Sequence, residues 1–227
     1  MPPDPLIPPH GGYKKLRTYK LGNLIYDATA AFCAQYYSRK DRTYDQMVQA
    51  ARSGVANIIE GSKASAASKK TELKLTSVAN ASQEELLSDY QAFLRQRGLP
   101  EWDLDSTAIQ TLRQVKPETL DQLRELMAAL VADPALGIAR AQADKAALKA
   151  EVAGNVMIAL IKQETYLLER QMARLAADFE QKGGFTERLY RIRSEVRKME
   201  NRERGCAKNG HDRQDGLDGP KTGNLAP

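Results

Sequence analysis

Leu21, Ile25, Ala28 and Phe32 recur at spacings of four, three and four, the interval that sets side chains on one face of an α-helix. The stripe predicts a first helix over residues 18–37. Met47, Ala51, Gly54 and Ile58 repeat the interval and predict a second helix over residues 44–60, with Gly61 as its left-handed stop. Small polar residues follow, and Ser68 is placed to cap a third helix running to about residue 97. Leu75, Ala79, Ser82, Leu86 and Phe93 share one of its faces, and Gly98 and Pro100 end it. Two short helices are expected over residues 106–115 and 117–132, the second opened by Pro117 and striped by Leu120, Leu123, Met127 and Leu130. Asp133-Pro134 breaks the pattern, and residues 135–144 are ambiguous. A second long helix is predicted over residues 145–182. Its seam, Ile158, Ile161, Thr165, Leu168, Met172, Leu175 and Phe179, alternates three and four and reads as an apolar bundle core. Gly183-Gly184 stops it. A last helix over residues 186–204 is expected to bury Leu189, Ile192, Val196 and Met199.

The expected fold is therefore all-α: an antiparallel up-down four-helix bundle with additional C-terminal helices. The organisation read from the chain is a flexible proline-rich lead at 1–12, a bundle domain at 13–132, a helical suffix domain at 133–204 and a disordered tail at 205–227.

Composition narrows the function classes. No apolar run approaches the ~18 residues of a membrane span, and the N-terminus lacks a signal-peptide pattern, so a cytoplasmic protein is expected. The two cysteines, Cys33 and Cys206, stand in an apolar helix and a polar tail, which argues against a disulfide framework. The two histidines, His10 and His211, lie near the chain ends, away from any core that could hold a histidine-based triad or zinc site. There is no phosphate-cradling GK[ST] loop, no HExxH and no CxxC pair. The expectation is a non-enzymatic protein with no cofactor and no metal. The net charge of +5 is uneven: residues 1–100 carry +5, residues 101–185 carry −3 and residues 186–227 carry +3. Basic ends around an acidic middle point to an anionic partner.

Three segments carry a family resemblance: Lys15–Thr29 (KLRTYKLGNLIYDAT), the QxxxAAxS…NIxEG pattern of Gln46–Gly61, and Thr71–Gly98. They resemble the bacterial four-helix-bundle protein family. That family includes proteins encoded in intervening sequences of ribosomal RNA genes and the accessory variability determinants of diversity-generating retroelements. Asn155–Leu175 and Glu180–Arg193 resemble the suffix domain appended to some members. The resemblance implies an up-down bundle and, for the retroelement proteins, a basic pentamer that binds nucleic acid and a reverse transcriptase. Many members carry two basic residues where this chain has Val48 and Gln49, leaving Arg52 as the nearby cation.

Candidate nucleic-acid contacts are thus Arg52, Lys63, Lys69, Lys70 and Lys74, with Arg188, Arg191, Arg193, Arg197 and Lys198 in the last helix. Lysine and arginine neutralise phosphates without reading sequence. A second basic cluster, Arg39, Lys40 and Arg42, belongs to the opposite pole of an antiparallel bundle. Tyr13, Tyr19, Tyr36, Tyr37 and Tyr44 are interleaved with these cations and could stack on bases or pack on the bundle rim. Asn57, Glu60 and Gly61 form a structural motif, with Asn57 and Glu60 expected as a buried hydrogen-bonded pair. The expected partners are RNA or DNA, a reverse transcriptase, and further copies of the chain, a pentamer by the family resemblance. A protein-interaction scaffold without nucleic-acid binding is the alternative.

Overall fold

The structure, a computed structural model, describes residues 12–132 and 144–211. A 3-10 turn, Gly12–Lys15, leads into seven helices: α1 (Arg17–Tyr36), α2 (Arg42–Ala64), α3 (Lys69–Gln96), α4 (Thr107–Val115), α5 (Leu120–Ala132), α6 (Lys145–Lys182) and α7 (Phe185–His211). No strand occurs among the described residues. No helix is long and apolar enough to cross a membrane among the residues described.

Local chemistry sets the helix ends. The Asp41 carboxylate accepts from the Thr43 N–H at 2.9 Å and starts α2. The Ser68 hydroxyl accepts from the Thr71 N–H at 3.1 Å and starts α3, as its sequence position predicts. Asp144 caps α6 through the Ala146 N–H at 3.0 Å. Each satisfies a backbone donor that the first turn leaves orphaned. Gly98 and Gly183, with φ of 64° and 67°, take the left-handed geometry that follows α3 and α6.

Two terminal expectations are corrected. Gly61 does not stop α2, which continues to Ala64. A Cβ on Gly61 would lie 3.3 Å from Leu75 Cβ and 3.4 Å from the Glu72 carbonyl oxygen, so the glycine lets α3 approach closely rather than capping a helix. Pro117 does not open α5, which begins at Leu120. Lys116, at φ 51°, has already turned the chain out of α4.

Helices α1, α2, α3 and α6 form an antiparallel four-helix bundle in that order around its axis. Cross-links fix the directions: Thr18 donates to Gln171 at 3.1 Å, the Cys33 thiol meets Met47 Sδ at 3.8 Å, and Tyr90 donates to Thr29 Oγ1 at 3.1 Å. The fourth bundle helix is thus α6, beyond the boundary expected at residue 132. Helix α5 packs against α6 and α1, and α4 packs against α5 and α6. The chain divides into two compact units, one ending at Gly184 and the other starting at Phe185. Residues 133–143, including most of the ambiguous segment, and the proline-rich lead up to residue 11 lie outside the described residues.

The bundle is filled mainly by one apolar cluster that includes Ile25, Phe32, Met47, Leu86, Phe93, Met157 and Ile161. Phe32 anchors an aromatic knot, with ring centroids 4.7 Å from those of Tyr36, Tyr90 and Phe93. Such pairs contribute about 0.5–1.5 kcal/mol each beyond their burial. The seam of α6 holds in part. Ile158, Ile161, Thr165, Leu168 and Leu175 are buried, whereas Phe179 is 38% exposed. The loop after α3 is latched to α6 by Asn155. Its Oδ1 accepts from the Trp102 N–H at 2.7 Å and its amide donates to the Pro100 carbonyl at 2.9 Å. Trp102 Nε1 donates to Glu151 at 2.8 Å.

Helix α7 is a unit of its own. It extends to His211, past the expected start of a disordered tail at residue 205; residues 212–227 lie outside the described residues. Its expected buried stripe is not closed: Leu189 and Ile192 are half-buried, while Val196 is 47% and Met199 65% exposed.

Candidate nucleic-acid interface and a buried polar layer

The antiparallel order brings the start of α1, the end of α2, the start of α3 and the later turns of α6 to one pole. The 3-10 turn packs against α1 and α2 there. Lys14, Lys15, Arg17 and Lys20 from the chain start therefore join Lys63 of α2 and Lys70 and Lys74 of α3, and all seven are exposed. Acidic side chains are sparse on the chain start, the end of α2 and the start of α3, while the later turns of α6 add exposed Glu169 and Glu180 beside exposed Arg170 and Arg174. Glu72 is taken by Lys69, whose Nζ donates to its carboxylate at 2.8 Å, and Glu60 is exposed. Tyr13 stands edge-on to Tyr19 in the same region, with ring centroids 4.9 Å apart.

Of the residues expected at a nucleic-acid surface, the structure groups Lys63, Lys70 and Lys74, and places Lys69 beside them in an ion pair. Arg52 is exposed but lies apart, about 16 Å from Lys63 along α2 at ~1.5 Å per residue. Arg191, Arg193, Arg197 and Lys198 are exposed on α7, and Arg188 belongs to the same helix. The four chain-start cations went unassigned by sequence reasoning. Their signal was available, since a bundle that pairs the end of helix 2 with the start of helix 3 also puts the start of helix 1 at that pole.

Arg39, Lys40 and Arg42 are at the opposite pole, as expected, and all three are exposed. Arg39 lies 5.2 Å over the Tyr44 ring, and Arg97 lies 3.9 Å over Phe93. Tyr36 and Tyr37 pack into the aromatic knot, and Tyr44 is buried. These three tyrosines are packing residues.

The expected Asn57–Glu60 pair does not form. Asn57 donates instead to the Ser53 carbonyl at 2.8 Å and the Ser53 hydroxyl at 3.2 Å, within its own helix. Glu60, three residues on, points to solvent. Ser53 also accepts from Ser82 of α3 at 3.1 Å, so the small polar face of α2 serves helix packing.

The seam of α6 is not apolar, which corrects the sequence reading. Glu164, adjacent to Thr165, is fully buried, and so is Gln83 of α3. Neither carboxylate oxygen of Glu164, and neither polar atom of the Gln83 amide, has a hydrogen-bond partner. Burial pushes the Glu164 carboxyl from its ordinary 4.5 up to about 8, because a low-dielectric site disfavours the charged form. Burial likewise raises the Cys33 thiol to about 12, which keeps it an unreactive core group. Among the described residues there is no group of three or more side chains placed to hold a metal ion.

No protein family, curated protein or solved structure matches the chain.

Proposed function

We propose that this chain is a non-enzymatic helical-bundle protein that associates with nucleic acid, alone or within a ribonucleoprotein or reverse-transcriptase complex, through its basic surfaces. The observation that supports this reading is the convergence of Lys14, Lys15, Arg17, Lys20, Lys63, Lys70 and Lys74 at one pole. An excess of positive charge there raises the local concentration of polyanions. Assembly into a homo-oligomer, a pentamer if the family resemblance holds, would repeat the pole around an axis. A cytoplasmic location belongs to the same proposal.

Binding carried by phosphates falls linearly with the logarithm of salt, by about 0.7–0.9 per phosphate neutralised. The test is a gel-shift or filter assay with single-stranded and duplex RNA and DNA over a salt series. Replacing Lys63, Lys70 and Lys74 together by glutamine should weaken binding and reduce the slope by about 2. Absence of binding at low salt, or an unchanged slope in a folded triple variant, refutes the proposal.

The alternative, a protein-interaction scaffold, draws support from the exposed apolar residues of α7, Val196 and Met199 together with Tyr190, which is 76% exposed. Truncation after Gly184 separates the two readings. Loss of oligomerisation on truncation, in a protein that binds no nucleic acid before or after it, favours the scaffold.

A further inference from the structure

Among the described residues, six buried side-chain polar atoms lack a partner, and four of them belong to Gln83 and Glu164. The two residues occupy one level of the bundle. Ala79 of α3 clusters with Leu168 of α6, and Leu94 and Phe93 of α3 abut Gly154 of α6. Antiparallel register between these two contacts sets Gln83 opposite Glu164. A Cβ on Gly22 of α1 would lie 2.6 Å from Glu164 Oε1, and a Cβ on Gly54 of α2 would collide with the Gln83 amide. Each polar head therefore fills the space left by a glycine on the neighbouring helix.

This layer divides the apolar core. On its far side lie Ile25, Ala51, Leu86 and Ile161, members of a cluster of 26 buried residues. On its near side lie Ile58, Ala79 and Leu168, a separate cluster of three, backed by Leu16 and Tyr19. All four helices pass through the layer in this order. The small cluster lies at the end of the bundle that carries the basic pole, where Thr18 of α1 also bonds Gln171 of α6.

Nothing beside Glu164 neutralises it. Gly22 of α1 and Val55 of α2 are its neighbours, Gln83 of α3 stands at its level, and Thr165 of its own helix is bonded to the Lys162 carbonyl at 3.1 Å. None of these titrates, and burial is the sole cause of its perturbation. An ionised carboxylate without a counter-charge cannot stay in such a site, and water must reach it. The near end buries the small cluster together with Thr18, Gly61, Ala66, Thr76 and Leu175, far less apolar surface than the cluster of 26, so parting it admits that water more cheaply.

We propose that the Gly22, Gly54, Gln83 and Glu164 layer is a proton-controlled joint. Loss of the Glu164 proton opens the basic end of the bundle while the larger core stays closed. Local opening of this kind registers in backbone hydrogen exchange. The experiment compares the whole protein at about pH 6 and about pH 9, corrected for intrinsic exchange, with peptide-level mass readout. With a carboxyl of pKa about 8 when closed and 4.5 when open, protection at the basic end should fall about a hundredfold. The segments concerned are residues 16–24, 55–64, 69–83 and 164–172. Residues 28–47 and 86–94 should keep their protection, and Glu164→Gln should remove the pH effect. A uniform fall across both clusters, no fall at all, or an unchanged pH effect in Glu164→Gln overturns the joint. The wild-type comparison decides even if the variant fails to fold.

Discussion

Replacing Glu164 by glutamine should change how the whole protein responds to pH. In the folded chain the carboxyl keeps its proton up to about pH 8, whereas in the unfolded chain it releases it near 4.5. Between those values the folded state binds more protons than the unfolded state, so stability falls as pH rises. The contribution is whole below pH 4.5, shrinks by about 1.4 kcal/mol per pH unit, and levels off above pH 8. Integration gives a loss of about 2.5 kcal/mol from about pH 5 to 7 and about 4 kcal/mol from about pH 5 to 9. Against a total stability of about 5–15 kcal/mol for an ordinary domain, that is a large share. Glutamine keeps the shape and cannot ionise. Urea unfolding of both proteins across this range measures the difference directly, because midpoints and slopes together yield the free energy. The wild type should lose stability relative to the variant as pH rises, with the gap flattening above about pH 8. Parallel curves for the two proteins refute an uncompensated buried carboxyl.

Two other perturbations probe the packing. Asn155→Ala removes the acceptor for the Trp102 N–H and the donor to the Pro100 carbonyl, which should cost about 2 kcal/mol. The chain's single tryptophan reports it, and unchanged Trp102 emission and melting temperature count against the latch. Gly154→Ala sets a Cβ 2.7 Å from Leu94 Cδ2 and 3.1 Å from its Cγ; the overpacking outweighs the gain in helix propensity by about 1 kcal/mol, seen as a fall of about 2–4 °C in melting temperature. A rise in melting temperature contradicts the close α3–α6 approach.

The fold was legible where periodicity was long. The three-four alternation of α1, α2 and α6 identified each helix because every turn carried a core residue. Ser68 was legible as a cap because its hydroxyl has one local job. Gly61 misled, since a glycine after an apolar stripe signals equally a helix stop or a close helix contact, and only the position of α3 decides. Glu164 was hidden for a different reason. A carboxylate beside a seam position reads as a flanking surface charge, and no local signal says that Gly22 leaves room for it inside. The candidate interface was half visible. Lys63, Lys70 and Lys74 could be read from the loop between the second and third helices and the turn after it, whereas Lys14 to Lys20 join them only when the antiparallel order is followed back to the start of α1.

The bundle takes its fourth helix from far along the chain, and that has a consequence for synthesis. Thr18 and Gln171 touch across 153 residues. Helices α1 to α3 are finished by Gln96, yet the surface they jointly present, with Ala79, Gln83 and Leu86 on it, is closed only by the stretch of α6 around Ile161 and Leu168. At about 5–20 residues per second, a ribosome needs about 4–15 s to add the intervening ~75 residues. Through that interval the residues that α6 covers are without their partner, so a chaperone or a neighbouring copy has its best access to them before α6 emerges.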